Sequence, residues 1–260
     1  MTTSAAGGGE PVDPGGGGTP WSGRTLSGTG FDGDTGAADP GVLEALAARA
    51  ATPSVEHDER LMRRVTSARW IVALVAAPTQ VEDVAGLVVE KTTDLAVVTL
   101  TAPDGRRALP VFTSAAALAA WDTGARPVPV TAARAAQAAV AEGCEVVVID
   151  VGSVGATELR PSMVWALSQG REWAPAHLDP FVARSVSGAV AAEQSVMEHR
   201  LTEGTPPGSG VLRVVLGLVP GLRQTDVEAL ATRVAERLAT DGEFRARVDE
   251  LTFALATSTS

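Results

Sequence analysis

The chain has very little cysteine, tyrosine or lysine, and it has no long hydrophobic run. Its 260 residues include one cysteine, Cys144, one lysine, Lys91, and no tyrosine. A single cysteine excludes an internal disulfide framework. The longest apolar run, Trp70 to Ala77, is far shorter than the ~18 residues that a membrane-spanning helix needs. The sequence therefore predicts a protein with neither a disulfide scaffold nor a transmembrane helix.

Acidic side chains outnumber basic ones. The chain has 21 Lys and Arg against 31 Asp and Glu, which gives a formal net charge of −10. Broad binding to nucleic acid or to an anionic membrane needs a basic face, so this balance disfavours both. The N-terminus has neither the basic segment nor the apolar segment of a secretory signal. We therefore expect a cytoplasmic protein that binds neither nucleic acid nor membranes.

Two boundaries divide the sequence into three parts. Glycine, proline, serine and threonine dominate residues 1–38, which bury too little apolar surface to offset the entropy of ordering them. We predict a disordered tail there. Pro175 and Pro180 mark a second boundary, between a larger domain over residues 39–175 and a smaller region over residues 179–260.

Strand and helix signals alternate along the larger domain. Strands are predicted at Trp70–Ala76, Leu95–Thr101, Ala108–Phe112, Pro127–Val130 and Glu145–Asp150. Asp104-Gly105 predicts a hairpin between the second and third of them. Helices are predicted to begin at Asp39-Pro40, Pro53-Ser54, Ser114, Thr131 and Pro161. This order predicts a mixed α/β (α+β) fold with a mixed sheet.

Periodicity and charge predict which side chains these helices bury. In the first helix, Leu43 and Leu46 fall on one apolar face together with Ala47 and Ala50. In the second, the acidic run around Asp58 precedes several arginines, which favours solvated i,i+4 ion pairs. Four aromatic side chains are predicted to lie in the core: Trp70, Phe112, Trp121 and Trp165.

The C-terminal region shows a helix, two strands and a second helix. A capping box, Thr225-x-x-Glu228, predicts where the second helix begins. The predicted elements are a helix at Phe181–Glu193, strands at Val196–Leu201 and Val211–Val219, and a last strand at Thr252–Ala256. This pattern predicts a smaller α/β sandwich.

Short motifs in the larger domain resemble the N-terminal domain of the SseB family. The motifs are Trp70-Ile71-Val72, Leu109-Pro110-Val111-Phe112-Thr113-Ser114, Trp121, Arg126-Pro127 and Val148-Ile149-Asp150. The resemblance extends over residues 40–175, and the strand at Val211–Val219 with its following helix is similar to the family's C-terminal region. It implies an SseB-type fold and carries no defined reaction.

The strongest predicted strand ends at Asp150, and a glycine-containing loop follows it. Ligand crevices open at the C-terminal ends of strands in such sheets, and glycines allow close approach of the backbone. An ordinary strand–helix turn is the other interpretation. The predicted contact site, for a small polar ligand or a protein partner, comprises Asp150, Gly152, Ser153, Gly155, Glu158, Arg160 and the interdomain Trp173.

No motif completes a catalytic or metal site. Ser114 needs a base to act as a nucleophile, but His57, His177 and His199 lie in separate predicted elements. We therefore interpret Ser114 as a helix cap. The Cys and His spacing fits no zinc site, and Cys144 precedes an apolar strand as a buried, inert thiol. The sequence predicts no catalytic residue, metal or cofactor.

Three functions stay open from the sequence. The first is a non-catalytic binding or regulatory protein of the SseB type. The second is an enzyme with a carboxylate and arginine site formed by Asp150, Glu158 and Arg160. The third is an accessory protein of a secretion or envelope system, to which only the tail points. The sequence does not define the oligomeric state.

Overall fold

A computed structural model of the chain describes residue 31, residues 33–76 and residues 95–256, and the backbone of residues 83–84 and 87–88. The tail predicted over residues 1–38 lies mostly outside these residues. From residue 35 onward the described chain forms one compact unit. None of its described helices is long and apolar enough to cross a membrane.

The described part of the chain contains eight helices and twelve strands. The helices are α1 (Pro40–Ala51), α2 (Val55–Ser67), α3 (Ala115–Trp121), α4 (Ala132–Ala141), α5 (Pro161–Ser168), α6 (Pro180–Ala191), α7 (Gln224–Thr240) and α8 (Gly242–Arg247). The strands are β1 (Arg69–Ala76), β2 (Asp83–Val84), β3 (Leu87–Val88), β4 (Leu95–Val97), β5 (Leu100–Thr101), β6 (Arg107–Phe112), β7 (Arg126–Thr131), β8 (Val146–Ile149), β9 (Thr157–Leu159), β10 (Val196–Glu203), β11 (Val211–Leu218) and β12 (Glu250–Leu255).

Seven strands form a mixed sheet in the N-terminal part. The strand order is β4-β1-β6-β8-β9. Two further strands pair with members of this series, β7 with β1 and β5 with β6. Within this sheet, only β6 and β8 form a parallel pair. The chain between them, which contains α3, β7 and α4, provides the long crossover that a parallel pair needs. The predicted hairpin joins β5 to β6 in antiparallel register. Its Gly105 has φ +88°, a conformation that glycine adopts without strain.

Each face of this sheet packs against helices. One face buries Trp70, Leu109 and Ile149 against α1, α2, α4 and α5. The other buries Ile71 and Phe112 against α3. The chain is tied to this fold before α1, because the carbonyl of Gly36 accepts a hydrogen bond from Ala115 N at 2.9 Å.

The C-terminal part has its own sheet and core. Its strand order is β10-β11-β12. β10 and β11 are antiparallel, whereas β11 and β12 are parallel and are connected through α7 and α8. Side chains of α6, α7 and β11, among them Val186, Val234 and Leu216, form the core on one face. The mixed α/β fold predicted from the sequence is confirmed.

Several local predictions were wrong. In α1, Leu43 is 45% exposed while Val42 and Ala45 are buried. The buried face is offset by one residue from the predicted apolar face. Apolar periodicity does not detect this offset, because the fourth position of the buried face is Arg49. Trp121 is only half-buried, although it packs on the Phe112 ring with the centroids 5.3 Å apart.

Two element boundaries also differ from the prediction, and one strand was not predicted. The strand predicted at Leu95–Thr101 is divided into β4 and β5. α7 begins at Gln224 with Arg223 at the N-cap, so Thr225 does not cap it. The Arg223 guanidinium instead donates two hydrogen bonds to Asp226, both 2.9 Å long. The strand β9 was not predicted.

Candidate functional site

An open cleft of about 360 Å³ lies between α2, α4 and the segment that follows α5. Its size is within the range of small-ligand sites, which begins at about 300 Å³. We call it the α2 cleft. It is lined by Glu59, Met62, Arg63, Thr66, Ala133, Leu167, Gly170, Arg171, Glu172 and Trp173.

The helical repeat of α2 builds one wall of the α2 cleft. Glu59, Met62, Arg63 and Thr66 are spaced i, i+3, i+4 and i+7, which places them on one face of the helix. Met62 is buried, and Leu167 of α5 is buried beside it. The cleft therefore has an apolar floor, while the polar side chains of α2 lie at its rim.

Gly170 turns the chain back toward α2 and forms the opposite wall. It follows α5 with φ +61°. Gly170 N donates to Leu167 O at 3.1 Å, and Arg171 N donates to Ala166 O at 2.9 Å. These two bonds define a Schellman motif, which favours glycine at this position. The motif directs the following residues, up to Trp173, across the end of α5.

Trp173 is held by a hydrogen bond and by a cation. Its indole Nε1 donates to Ser162 Oγ at 3.0 Å. The Arg160 guanidinium lies 5.7 Å from the ring centroid, within the range of a cation–π interaction. Trp173 was predicted to be partly exposed, and it is half-buried. It separates the α2 cleft from the ion cluster around Arg160.

The rim of the α2 cleft carries charges of both signs. Arg171 is paired with Glu243 at 3.1 Å and lies over the ring of Trp165. Among the residues that the structure describes, Glu59, Arg63 and Glu172 have no ion-pair partner within 4.0 Å. These three side chains are therefore available to a ligand.

Arg160 is the centre of a buried ion cluster. Its Nη2 donates to Asp58 of α2 at 2.9 Å, and its Nε donates to Asp249, which precedes β12, also at 2.9 Å. Its Nη1 donates to the carbonyl of Gly208 at 3.0 Å. Arg49 adds a bond of 2.6 Å to Asp58. We call Arg49, Asp58, Arg160 and Asp249 the Arg160 cluster.

The Arg160 cluster joins the two parts of the fold. Asp249 belongs to the C-terminal part, yet its carboxylate accepts hydrogen bonds from Ser162 N at 2.8 Å and Ser162 Oγ at 2.9 Å. It thereby satisfies a free backbone N–H at the start of α5, where the helix dipole favours a negative charge. The predicted solvated pairing of Asp58 was wrong, because this residue is 1% exposed.

Asp150 stabilises the ends of two parallel strands. Its carboxylate accepts hydrogen bonds from Thr113 N at 2.8 Å and Thr113 Oγ1 at 2.7 Å. Asp150 has φ +50°, an uncommon conformation that aspartate tolerates better than most residues. The bonds to Thr113 hold the chain in this turn.

The rest of the predicted loop forms an exposed turn. Gly152 has φ +82°, and a Cβ there would lie 3.3 Å from Cδ1 of Trp121. Ser153 and Gly155 are exposed. Glu158 lies in β9 and forms a 3.7 Å ion pair with the exposed Arg106.

The seven predicted contact residues therefore occupy three places. The loop from Asp150 to Gly155 is at the end of β8, Glu158 is on the sheet surface, and Arg160 with Trp173 is at the junction with the C-terminal part. Of the seven, only Trp173 lines the α2 cleft. The α2 side of the cleft was missed, although the spacing of Glu59, Met62 and Arg63 could have indicated a mixed apolar and charged face.

Ser114, His57 and His199 each lie within hydrogen-bonding distance of another group of the fold. Ser114 Oγ accepts a hydrogen bond from Ala117 N at 3.0 Å and caps α3, as predicted. His57 Nδ1 is 2.6 Å from Thr52 O, and His199 Nε2 is 3.1 Å from Ser187 Oγ. No metal-binding group of His, Cys, Asp and Glu occurs among the described residues.

Cys144 is buried beside a basic residue. Burial raises the pKa of its thiol, and the positive charge of Arg107 opposes this rise without cancelling it. A thiol with a raised pKa is a weak nucleophile at neutral pH.

Comparison with known proteins identifies the N-terminal part. Residues 42–166 match the family model of the SseB protein N-terminal domain. No curated protein and no solved structure matches the chain. The match ends before the C-terminal part, so the similarity predicted there stays a prediction. Residues 42–166 are therefore an SseB protein N-terminal domain, which confirms the resemblance seen in the sequence over that range.

Proposed function

We propose that this protein is a non-catalytic, cytoplasmic binding protein of the SseB type, and that the α2 cleft is its ligand site. One observation carries the proposal: the cleft combines an apolar floor with rim charges that have no partner in the described structure. Clefts and cavities with apolar surface and a few well-placed polar groups are the usual form of ligand sites.

The chemistry of the α2 cleft defines the kind of ligand. Met62, Leu167 and Trp173 offer apolar surface, which favours a ligand with an apolar portion. Arg63 can donate hydrogen bonds to an anionic group, while Glu59 and Glu172 can accept them from a cationic one. A small polar ligand with charged groups, or the side chains of a partner protein, fits these requirements.

The positions of the other candidate residues favour binding over catalysis. The carboxylate of Asp150 is bonded to Thr113, and Glu158 pairs with Arg106 on the surface. Arg160 is bonded to Asp58 and Asp249. Asp150, Glu158 and Arg160 share no bonding partner, and the enzyme hypothesis needs all three to act on one substrate.

A pair of charge-reversal variants tests the site. Arg63→Glu changes an exposed residue at the rim, whereas Arg64→Glu makes the same change at the next residue, whose guanidinium lies beside Gly41 of α1. The wild-type protein is screened by thermal shift against metabolite and short-peptide libraries, and a pull-down from lysate is run in parallel. We expect Arg63→Glu to weaken the ligand found by about tenfold or more, since 1.4 kcal/mol corresponds to that factor.

The control variant decides the interpretation. Arg64→Glu should bind like the wild type, because Arg64 does not line the cleft. Equal binding by both variants and the wild type would place the ligand elsewhere on the protein. Turnover of a bound metabolite would favour the enzyme hypothesis. A stoichiometric envelope or secretion component in the pull-down would favour the accessory role.

A further inference from the structure

The outer side of β12 carries backbone groups that no strand uses. Ala256 N donates to Leu216 O at 2.8 Å, so the backbone of Ala256 is directed toward β11. Because backbone groups alternate along a strand, those of Leu251, Phe253 and Leu255 are directed away from it. In the part of the chain that the structure describes, β12 pairs only with β11.

Three other edge strands are protected against pairing, and β12 is not. β7 contains Pro127 and Pro129, which cannot donate hydrogen bonds. β9 has only three residues. β10 has a register shift after Val196 and several charged side chains. β12 reads Glu-Leu-Thr-Phe-Ala-Leu, without proline and with no charge after its first residue. An apolar edge without these protections favours pairing with another strand.

A mainly apolar groove, whose lining also includes Arg245, Asp249 and Glu250, adjoins the same edge. It has a volume of about 240 Å³ and lies between β12 and the C-terminal half of α7 and α8. Leu238, Phe244, Val248 and Leu251 are among its lining residues. Leu255, at the end of β12, is 55% exposed. Side chains of an added strand on the helix-facing side would therefore enter a groove that is already formed.

We propose that β12 pairs with β12 of a second copy of this chain, antiparallel, about a two-fold axis through Phe253. The axis places Phe253 opposite its own copy and Leu251 opposite the second copy's Leu255. These are the residues with outward backbone groups, so every pair can exchange two hydrogen bonds. The two three-stranded sheets then join into one continuous sheet across an isologous interface.

The side chains of β12 are complementary to themselves in this register. Leu255 of each copy lies beside Leu251 of the other and covers its apolar groove, while Thr252 is opposite Ala254 on the outer face. Glu250 is opposite Ala256, so no like charges meet. A shift of the axis to Thr252 would place Leu255 opposite Asp249, which sets an apolar side chain against a carboxylate that is already bonded to Arg160.

The mass of the protein in solution provides the first test. Sedimentation equilibrium of the wild-type chain across the micromolar range should show a monomer–dimer equilibrium. Leu255→Lys should yield a monomer throughout. Met197→Lys is the matched control, because Met197 is 69% exposed on β10, the other edge of the same sheet, and it should dimerise like the wild type. A monomeric wild type, or a dimer that Leu255→Lys leaves intact, would overturn the proposal.

A cross-linking experiment tests the register. Opposite residues without mutual hydrogen bonds have Cα atoms about 4.5 Å apart, within the range of a disulfide. Thr252 and Ala254 form such a pair between the copies. Under mild oxidation, a mixture of Thr252→Cys and Ala254→Cys chains should form a disulfide-linked dimer, whereas either variant alone should not. An equal yield from each variant alone would exclude this register, and Cys144 cannot interfere because it is buried.

Discussion

Asp58 and Glu59 are neighbours on α2, but they lie in contrasting regions. The Asp58 carboxylate is in the Arg160 cluster, bonded to Arg49 and Arg160. Glu59 is directed to the rim of the α2 cleft and has no ion-pair partner among the described residues. Both regions contain arginine and acidic side chains. They differ in whether another group of the protein forms an ion pair with each charge.

This difference separates a structural role from a binding role. A buried ion pair gains little net stability, but the loss of one partner leaves an uncompensated charge in the interior. The Arg160 cluster therefore maintains the contact between the two parts of the fold. Charges at a partly exposed rim tolerate the absence of a partner because water solvates them, and a ligand can replace that water.

Trp173 connects the two regions. One side of the indole lines the α2 cleft, and the ring also lies against Arg160. Its Nε1 bond to Ser162 links it further to Asp249, because Ser162 also donates to that carboxylate. A ligand that contacts Trp173 would therefore contact a residue that borders the Arg160 cluster.

The largest expected effect is at the centre of the Arg160 cluster. Arg160→Ala would leave the carboxylates of Asp58 and Asp249 without their shared cation in a buried site. We expect a loss of about 3–5 kcal/mol in the free energy of unfolding, measured by urea denaturation. Arg106→Ala is the control, since this arginine also pairs with two carboxylates but is half-exposed, and it should change stability little. A loss below about 1 kcal/mol for Arg160→Ala would contradict a structural role for the cluster.

A smaller effect is expected at an ion cluster within the C-terminal part. Hydrogen bonds from Arg233, with a further contribution from Arg237, lower the pKa of Glu193 to about 2 although burial opposes this. Because the folded pKa lies below the ordinary value of 4.5, the stabilisation is complete above pH 4.5 and disappears as the pH falls toward 2. Both arginines are partly exposed, so we expect Glu193→Gln to lower stability by about 1 kcal/mol at pH 7.

Denaturation of the wild type and Glu193→Gln at a series of pH values tests this prediction. The two stability curves should converge between pH 4.5 and 2. Glu236→Gln changes an exposed residue of α7, the helix that carries Arg233 and Arg237, and it should follow the wild type throughout. A constant difference at all pH values would mean that the charge of Glu193 is not what stabilises the fold.

A similarly small effect is expected at the wall of the α2 cleft. Gly170→Ala places a Cβ at φ +61° with no atom within 4 Å, so its effect is conformational. We expect a loss of about 1 kcal/mol. Gly188→Ala, in the middle of α6 and equally free of close neighbours, should instead gain about 0.5–1 kcal/mol. Thermal unfolding compares the two variants, and effects of the same sign would contradict the turn assigned to Gly170.

The sequence predicts most of this fold because its signals are local. Continuous apolar runs define β1 and β8, and the caps at Ser114 and Thr131 define the starts of α3 and α4. β9 has no such signal, because its three residues become a strand only through their pairing with β8. The start of α7 was mispredicted because the bonds from Arg223 to Asp226 take the place of the expected cap.

The candidate site was less predictable, for a physical reason. The residues of the Arg160 cluster come from four separate segments of the chain, and each residue type alone is typical of an exposed surface. Only the tertiary structure brings them together, and burial then makes them a structural ion cluster rather than a solvated surface. The α2 cleft likewise depends on the turn at Gly170, which returns Trp173 to α2. Trp173 was the predicted contact residue that lies at this cleft.

The most direct test compares charge removal at two adjacent residues. Asp58→Asn and Glu59→Gln each remove one negative charge with almost no change in shape, and the free energy of unfolding is measured for both. We predict a loss of about 3 kcal/mol for Asp58→Asn, because Arg49 and Arg160 lose a buried partner, and a change within about 0.5 kcal/mol for Glu59→Gln. Equal losses for the two variants would contradict the distinction between the Arg160 cluster and the α2 cleft.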